Sequence, residues 1–172
     1  MEAEAVYQAM LDARSLLDAS SSEKQGSASL ERCIAFRVDD EYYAVELASV
    51  KEVIEPPAIV PVPGAPPEVL GVINLRGSVL TVVNSRAALG LGGLPDGSAA
   101  RILVLDEQGE YVGALVDAVE DIVTIDGEQL NPVPAAGGGV CSAHVRGTMT
   151  IGDRIAFVMR GSGFTEPAAQ GR

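Results

Sequence analysis

The side chains that could perform catalysis are few and scattered along this sequence. His144 is the single histidine, and Cys33 and Cys141 lie far apart, outside any Cys-x-x-Cys motif. No serine or cysteine lies in a nucleophile-elbow pattern, and the glycine run at 137–139 lacks the lysine of a phosphate-binding loop. Two cysteines with one histidine cannot complete a zinc site, and the acidic spacings match no calcium loop. The sequence therefore predicts no metal, no cofactor and no enzyme.

Carboxylates are the remaining candidates for catalysis. The pair Glu120-Asp121 could serve a hydrolase, because paired carboxylates supply the acid and the base in many glycosidases. Like Asp39-Asp40-Glu41 and Asp106-Glu107, however, it lies at a turn or near a strand start, where charged side chains are usually solvated. We favour the solvated interpretation and keep the hydrolase as an alternative.

Polar residues inside apolar stretches indicate binding. Glu52 lies on a predicted short helix, and Asn74 and Arg76 lie within the apolar stretch GVINLRGSVLTVVN, residues 71–84. Each is costly to bury unless it is paired. Arg76 could form a bidentate ion pair with Glu52 inside the domain, or present its guanidinium to a partner protein. The internal pair is slightly favoured, and the two roles are compatible.

Short strands are the elements that must position these residues. Two Val- and Ile-rich runs on either side of Arg76-Gly77-Ser78 predict a β-hairpin. Leu47, Val50 and Ile54 have helical spacing, so a short helix is predicted over 46–54, and another helical turn over 86–91. Further strands are predicted at 33–38, 42–45, 101–105, 111–116, 119–125, 145–151 and 154–159, with an extended, proline-flanked edge segment at 59–62. This many short strands is typical of a β-barrel or sandwich.

A faint internal echo suggests two similar half-domains. Residues 75–79, LRGSV, resemble residues 145–149, VRGTM, and each is predicted to open a hairpin with an apolar second arm.

The N-terminal region differs in composition from the rest of the chain. Val6, Met10, Ala13 and Leu17 repeat at helical spacing, and residues 20–29 are small and polar like a flexible linker. We therefore divide the chain into a helix and linker at 1–29, a β domain at 30–164 and a disordered tail at 165–172. The helix could pack on its own domain, which is favoured, or dock a partner.

Composition limits the classes of partner. The chain has 172 residues and a net charge of −12, with no cluster of lysine and arginine, which argues against nucleic acid. It has no signal-peptide pattern and no apolar stretch long enough to cross a bilayer. These features predict a cytoplasmic protein with free thiols.

The stretch GVINLRGSVLTVVN resembles the signature of the CheW-like coupling domains of bacterial chemosensory arrays. The blocks FRVDDEYYAVELASVKEVIE, RILVLDEQGEYVGALVDAVEDIVTI and IGDRIAFVM also resemble that family, and they occur in family order. The resemblance covers about Cys33 to Met159.

The resemblance implies a mainly β fold of two packed five-stranded SH3-like barrels with short helices and a hydrophobic groove between them. It implies a non-enzymatic adaptor that couples chemoreceptor signalling tips to the regulatory domain of a CheA-type histidine kinase. Such a protein would be cytoplasmic and recruited to receptor arrays. The groove that takes the receptor hairpin would be lined by Leu47, Val50 and Val53, with Val119 and Ile122 from the other side. The other partner-binding residues that the resemblance implies are Glu52, Gly71, Asn74, Leu75, Arg76 and Gly77.

Three features depart from the family pattern. Asn84 and Ser85 replace the Asp and Leu of a common VVDLR stretch, Thr81 stands where proline is common, and the N-terminal region is long. They favour, as an alternative, an adaptor of another pathway (motility, polarity or development) that binds a different partner through its N-terminal helix.

Overall fold

Runs of Val, Ile and Leu build ten strands in a computed structural model that describes residues 8–12, 29–95, 97–133 and 144–160. The strands form two five-stranded sheets. Sheet A has the order β8-β1-β2-β10-β9. Its strands are β1 (Leu30–Val38), β2 (Glu41–Glu46), β8 (Ala118–Asp126), β9 (Val145–Ile151) and β10 (Arg154–Met159).

Sheet B is formed by a continuous part of the chain and has the order β3-β6-β7-β5-β4. Its strands are β3 (Val50–Ile54), β4 (Val69–Leu75), β5 (Ser78–Asn84), β6 (Arg101–Glu107) and β7 (Glu110–Val116). Residues 8–12 are helical and are called α1, and a short helix α2 covers Ser85–Ala88. The mainly β fold with two packed five-stranded units is as predicted.

The predicted helix over 46–54 is wrong. Leu47–Ser49 form one 3₁₀ turn, and Val50–Ile54 form β3, so that Glu52 lies on a strand. A bulge at Lys51 explains the misleading spacing, because an extra residue interrupts the alternation of a strand. The segment at 59–62 is also not a full strand, since it makes a single bridge from Val60 to Val72.

The two sheets are internal repeats of one pattern. In each, an antiparallel hairpin (β4–β5 or β9–β10) lies parallel to the second strand of another hairpin (β6–β7 or β1–β2). The registers match in detail, because each strand has a bulge at the same place: Leu70 is left out of the pairing of β4 with β5, and Arg146 is left out of the pairing of β9 with β10. Likewise, Lys51 is left out of the pairing of β3 with β6, and Glu120 is left out of the pairing of β8 with β1. The predicted half-domains are therefore present.

The sequence echo at 75–79 and 145–149, however, is in the wrong register. Arg76 lies in the β4–β5 turn, whereas Arg146 lies near the start of β9 and corresponds to Leu70. The residues that correspond between the two hairpins are Gly71 and Gly147. A side chain at Gly71 would meet the carbonyl oxygen of Val60, and one at Gly147 would meet that of Asn131.

The largest core lies between the sheets. It contains buried residues of both, including Phe36, Tyr43, Leu47, Leu103 and Val116. Each sheet also has a smaller core of its own, formed around Val82 in sheet B and Cys33 in sheet A. The sheets are thus joined by apolar packing as well as by the chain.

The described part of the N-terminal helix packs on this inter-sheet core. Met10 is fully buried within it, while the other residues of 8–12 are exposed. For these residues the structure agrees with the prediction that the helix covers its own domain. The predicted linker at 20–29 lies outside the described residues except for Ser29, as do the tail at 165–172, the glycine run at 137–139 and Cys141. Cys33 is a buried free thiol, and burial raises its pKa to about 12.

Candidate functional site

The tip of the β4–β5 hairpin is the first part of the candidate site. Leu75 pairs with Ser78, and the turn residues Arg76 and Gly77 have φ values of 49° and 87°. Positive φ at both central residues is typical of a type I′ turn, whose twist matches a hairpin. Asn74 stabilises the turn, since its Oδ1 accepts a hydrogen bond from the Gly77 amide at 2.9 Å. The predicted hairpin is confirmed, and Asn74 has its partner inside the fold.

The predicted ion pair between Arg76 and Glu52 is also confirmed. Arg76 Nη1 and Nη2 donate to Glu52 Oε1 and Oε2 at 2.8 and 2.9 Å, which is a bidentate geometry. The Glu52 side chain is 7% exposed and that of Arg76 is 71% exposed. A buried carboxylate therefore fixes an arginine whose outer surface remains open to a partner.

The residues expected to line a groove fall into two groups. Leu47 and Val50 are fully buried in the inter-sheet core, so neither side chain offers surface to a partner, and their expected place in an open groove is wrong. Val53, Val119 and Ile122 are half-buried and pack against that core. Val53 of β3 and Ile122 of β8 occupy equivalent positions in the two sheets. The half-buried trio is called the seam.

Comparison with known proteins shows the family of this chain. The family model described as the CheW-like domain matches residues 32–166. The chemotaxis protein CheW of Rhizobium meliloti is 38% identical over 122 residues, which cover 71% of this chain and 79% of that protein. The chain belongs to the CheW family.

Two further proteins extend the comparison. The crystal structure of the scaffolding protein TtCheW from Thermoanaerobacter tengcongensis matches with a TM-score of 0.73 at 24% identity, covering 81% of this chain and 90% of that chain. The protein PilI of Pseudomonas aeruginosa is 31% identical over 107 residues, which cover 60% of this chain and 60% of that protein. The crystal structure supports the fold, and PilI is a similar protein that is not named CheW.

The carboxylates of the hydrolase alternative are held by other groups in this CheW-family chain. Glu120 lies 3.5 Å from Arg37, and Asp121 accepts a hydrogen bond from the Ile122 amide. Across the described ranges, no group of three His, Cys, Asp or Glu residues is placed to hold a metal ion. Nor does any described helix have the length and apolarity to cross a membrane.

A polar cluster on sheet A was not predicted. Arg146 donates to Glu31 at 2.5 and 3.0 Å and to Glu46 at 3.2 Å, beside an open cavity of about 530 Å³ that is also lined by Arg160. The hydrogen bond from Arg146 lowers the pKa of Glu31, whereas burial and the nearby Glu31 raise that of Glu46. These residues are up to 115 positions apart, so no local pattern reveals the cluster.

A second unpredicted cluster gives Asn84, the first residue of the departure at Asn84-Ser85, a structural role. Asn84 Oδ1 caps α2 by accepting a hydrogen bond from the Arg86 backbone amide at 3.1 Å. The asparagine side chain therefore provides the cap that an aspartate would provide. Arg86 donates to Asp117 at 3.0 and 2.5 Å, and the Asp39 amide donates to Asp117 at 2.8 Å. Burial raises the pKa of Asp117, but these hydrogen bonds outweigh it and lower the pKa overall. The sequence feature that could have indicated this cluster is Asp117, a single charged residue between the apolar residues 112–116 and 118–119.

Proposed function

We propose that this protein is a non-enzymatic adaptor that couples chemoreceptor signalling tips to the regulatory domain of a CheA-type histidine kinase. Membership of the CheW family, whose relatives are named as chemotaxis proteins, supports a scaffold in chemotaxis signalling. The observation that carries the proposal is the exposed Arg76 held by buried Glu52 at the hairpin tip. A protein with these partners would work in the cytoplasm, recruited to receptor arrays.

The hairpin tip has the chemistry of a protein-binding hot spot. Arginine is enriched at such positions, because its planar guanidinium forms several directed hydrogen bonds. The pair with Glu52 fixes the side chain before binding, which reduces the conformational entropy lost on association. Asn74, Leu75 and Gly77 belong to the same tip and set its shape.

The seam suits a helical partner. Val53, Val119 and Ile122 are aliphatic and half-buried, and they come from both sheets. A helix can place apolar residues from successive turns on such a surface. We assign the seam to the receptor tip and the hairpin to the kinase.

Arg76→Glu tests the hairpin assignment. The reversed charge opposes Glu52 and any acidic group on the partner, so we expect binding of the kinase regulatory domain to fall by about tenfold or more. Isothermal titration calorimetry measures the affinity, and circular dichroism checks the fold. Lys51→Glu is the matched control, since Lys51 is an exposed cation beside Glu52. Equal affinity of the Arg76→Glu variant and the unchanged protein would remove Arg76 from the site.

Val119→Thr tests the seam. The change keeps the shape of the side chain but replaces one methyl group of the apolar surface with a hydroxyl, so affinity for a receptor-tip fragment should fall several-fold. Binding to the kinase domain should stay the same. Loss of both partners together, or of neither, would contradict a separate receptor surface.

A different pathway remains the second candidate, and the similarity to PilI favours it. In that case, the exposed side of the N-terminal helix would bind the partner. Deleting residues 1–29 would also remove the buried Met10, so Leu11→Glu, at a position 42% exposed, is the sharper variant. Mass spectrometry of co-purified proteins should then show loss of one partner, while an unchanged set would exclude this role for Leu11.

A further inference from the structure

The connection from sheet B back to sheet A consists of one buried charged residue. β7 of sheet B ends at Val116 and β8 of sheet A begins at Ala118, so Asp117 alone joins them. Its side chain is 5% exposed. The chain also crosses from sheet A to sheet B between β2 and β3. Because Val50 of β3 is equivalent to Val119 of β8, the position equivalent to Asp117 is Ala48, which carries no charge. The charge is therefore specific to the crossover that leads into β8.

Both sheets contribute hydrogen bonds to this carboxylate. The Asp39 amide comes from the β1–β2 turn of sheet A, and Arg86 comes from α2, which follows β5 of sheet B. Arg86 Nη1 also lies 3.6 Å from Asp39 Oδ1. Asp117, Arg86 and Asp39 are together called the clamp.

The clamp adjoins the seam. The Asp117 amide donates to the Arg37 carbonyl at 3.0 Å, and β8 then pairs with β1 from Ala118 onward. Val119 is the second residue of β8, and Ile122 follows on the same strand. Asp117 therefore lies directly before the strand that carries both side chains.

We propose that Asp117 and Arg86 are positioning residues for the receptor partner, which they do not touch. The clamp fixes β8 against sheet B and so sets the distance across the seam. This inference rests on the proposed function, because it concerns the same apolar surface. A bidentate arginine pair is suited to this task, since it restrains direction as well as distance.

Asp117→Asn tests the proposal, because it keeps the size of the side chain and removes its charge. We expect affinity for a soluble receptor-tip hairpin to fall about tenfold, with the kinase domain bound as before and the circular dichroism spectrum unchanged. Glu120→Gln is the matched control, since it removes a carboxylate charge three residues further along the chain, on β8, at a side chain that is 41% exposed. Equal loss of both partners, or no loss, would overturn the proposal.

Two further measurements separate positioning from general stability. In a double-mutant cycle, Arg86→Gln combined with Asp117→Asn should be no worse than the single changes, because both break one unit. Hydrogen exchange at β8 amides should accelerate in Asp117→Asn, while exchange in β4–β5 should not. Additive losses or unchanged exchange at β8 would contradict the clamp. If the unchanged protein binds neither partner, the proposed function fails, and the exchange result still decides the clamp.

Discussion

Arg76 occupies a backbone conformation that its residue type disfavours. Its φ of 49° lies in the left-handed region, which suits glycine or asparagine and costs a non-glycine residue about 1 kcal/mol or more. The bidentate pair with Glu52 offsets part of this cost. Asparagine followed by glycine would be locally better in this turn, so the arginine is held there by its tertiary contact and not by turn preference.

Ser85 shows the opposite situation, a polar group without an evident role. It is fully buried, and its Oγ has no hydrogen-bond partner within the described residues. We predict that Ser85→Ala raises the free energy of unfolding by about 1 kcal/mol, because an unsatisfied hydroxyl is removed from the core. Chemical denaturation measures the change, with Ser78→Ala at the exposed hairpin tip as the control. A loss of stability would mean that the Ser85 hydroxyl is bonded in solution.

At the scale of elements, the close approach of the 59–62 segment to β4 depends on Gly71. Val60 and Val72 exchange backbone hydrogen bonds of 2.9 Å, and a Cβ at Gly71 would lie 2.1 Å from the Val60 carbonyl oxygen. Gly147 repeats the arrangement in sheet A, where Asn131 and Thr148 form the corresponding bridge. The same glycine role in both sheets follows from their common register.

We predict that Gly71→Ala lowers the free energy of unfolding by about 3 kcal/mol or more, because backbone must move and φ is 151°. Gly147→Ala should cost less, since its nearest contacts are 2.8 Å away. Gly92→Ala, which meets nothing within 4 Å, is the control. Thermal or denaturant unfolding ranks the three variants, and a Gly71 variant as stable as the control would contradict the close approach.

At the scale of the whole molecule, the core between the sheets includes a residue from outside the domain shared with the family. The family match begins at residue 32, yet Met10 is buried with side chains from both sheets. The N-terminal helix therefore contributes to the packing that holds the sheets together.

We predict that Met10→Ala lowers the free energy of unfolding by about 2–4 kcal/mol, as expected when a buried methionine leaves a cavity. Leu11→Ala is the control from the same helix, because its side chain is 42% exposed. Urea denaturation should show a large change for the first variant and a small one for the second. Similar small changes would mean that the helix does not dock in solution.

The sequence by itself determined the β class and the hairpin at 71–84, and it favoured the pairing of Arg76 with Glu52 without deciding it. The first two follow from local alternation and turn chemistry, which act over short stretches. The pair was favoured because a buried charge is costly unless it is paired, but its two residues are 24 positions apart and only the fold brings them together. Tertiary structure alone decided that β3 is a strand, that Leu47 and Val50 are core, and that Asp117 joins the sheets. A bulge disguised β3 as a helix, and burial and the Asp117 bonds depend on residues brought together from distant positions.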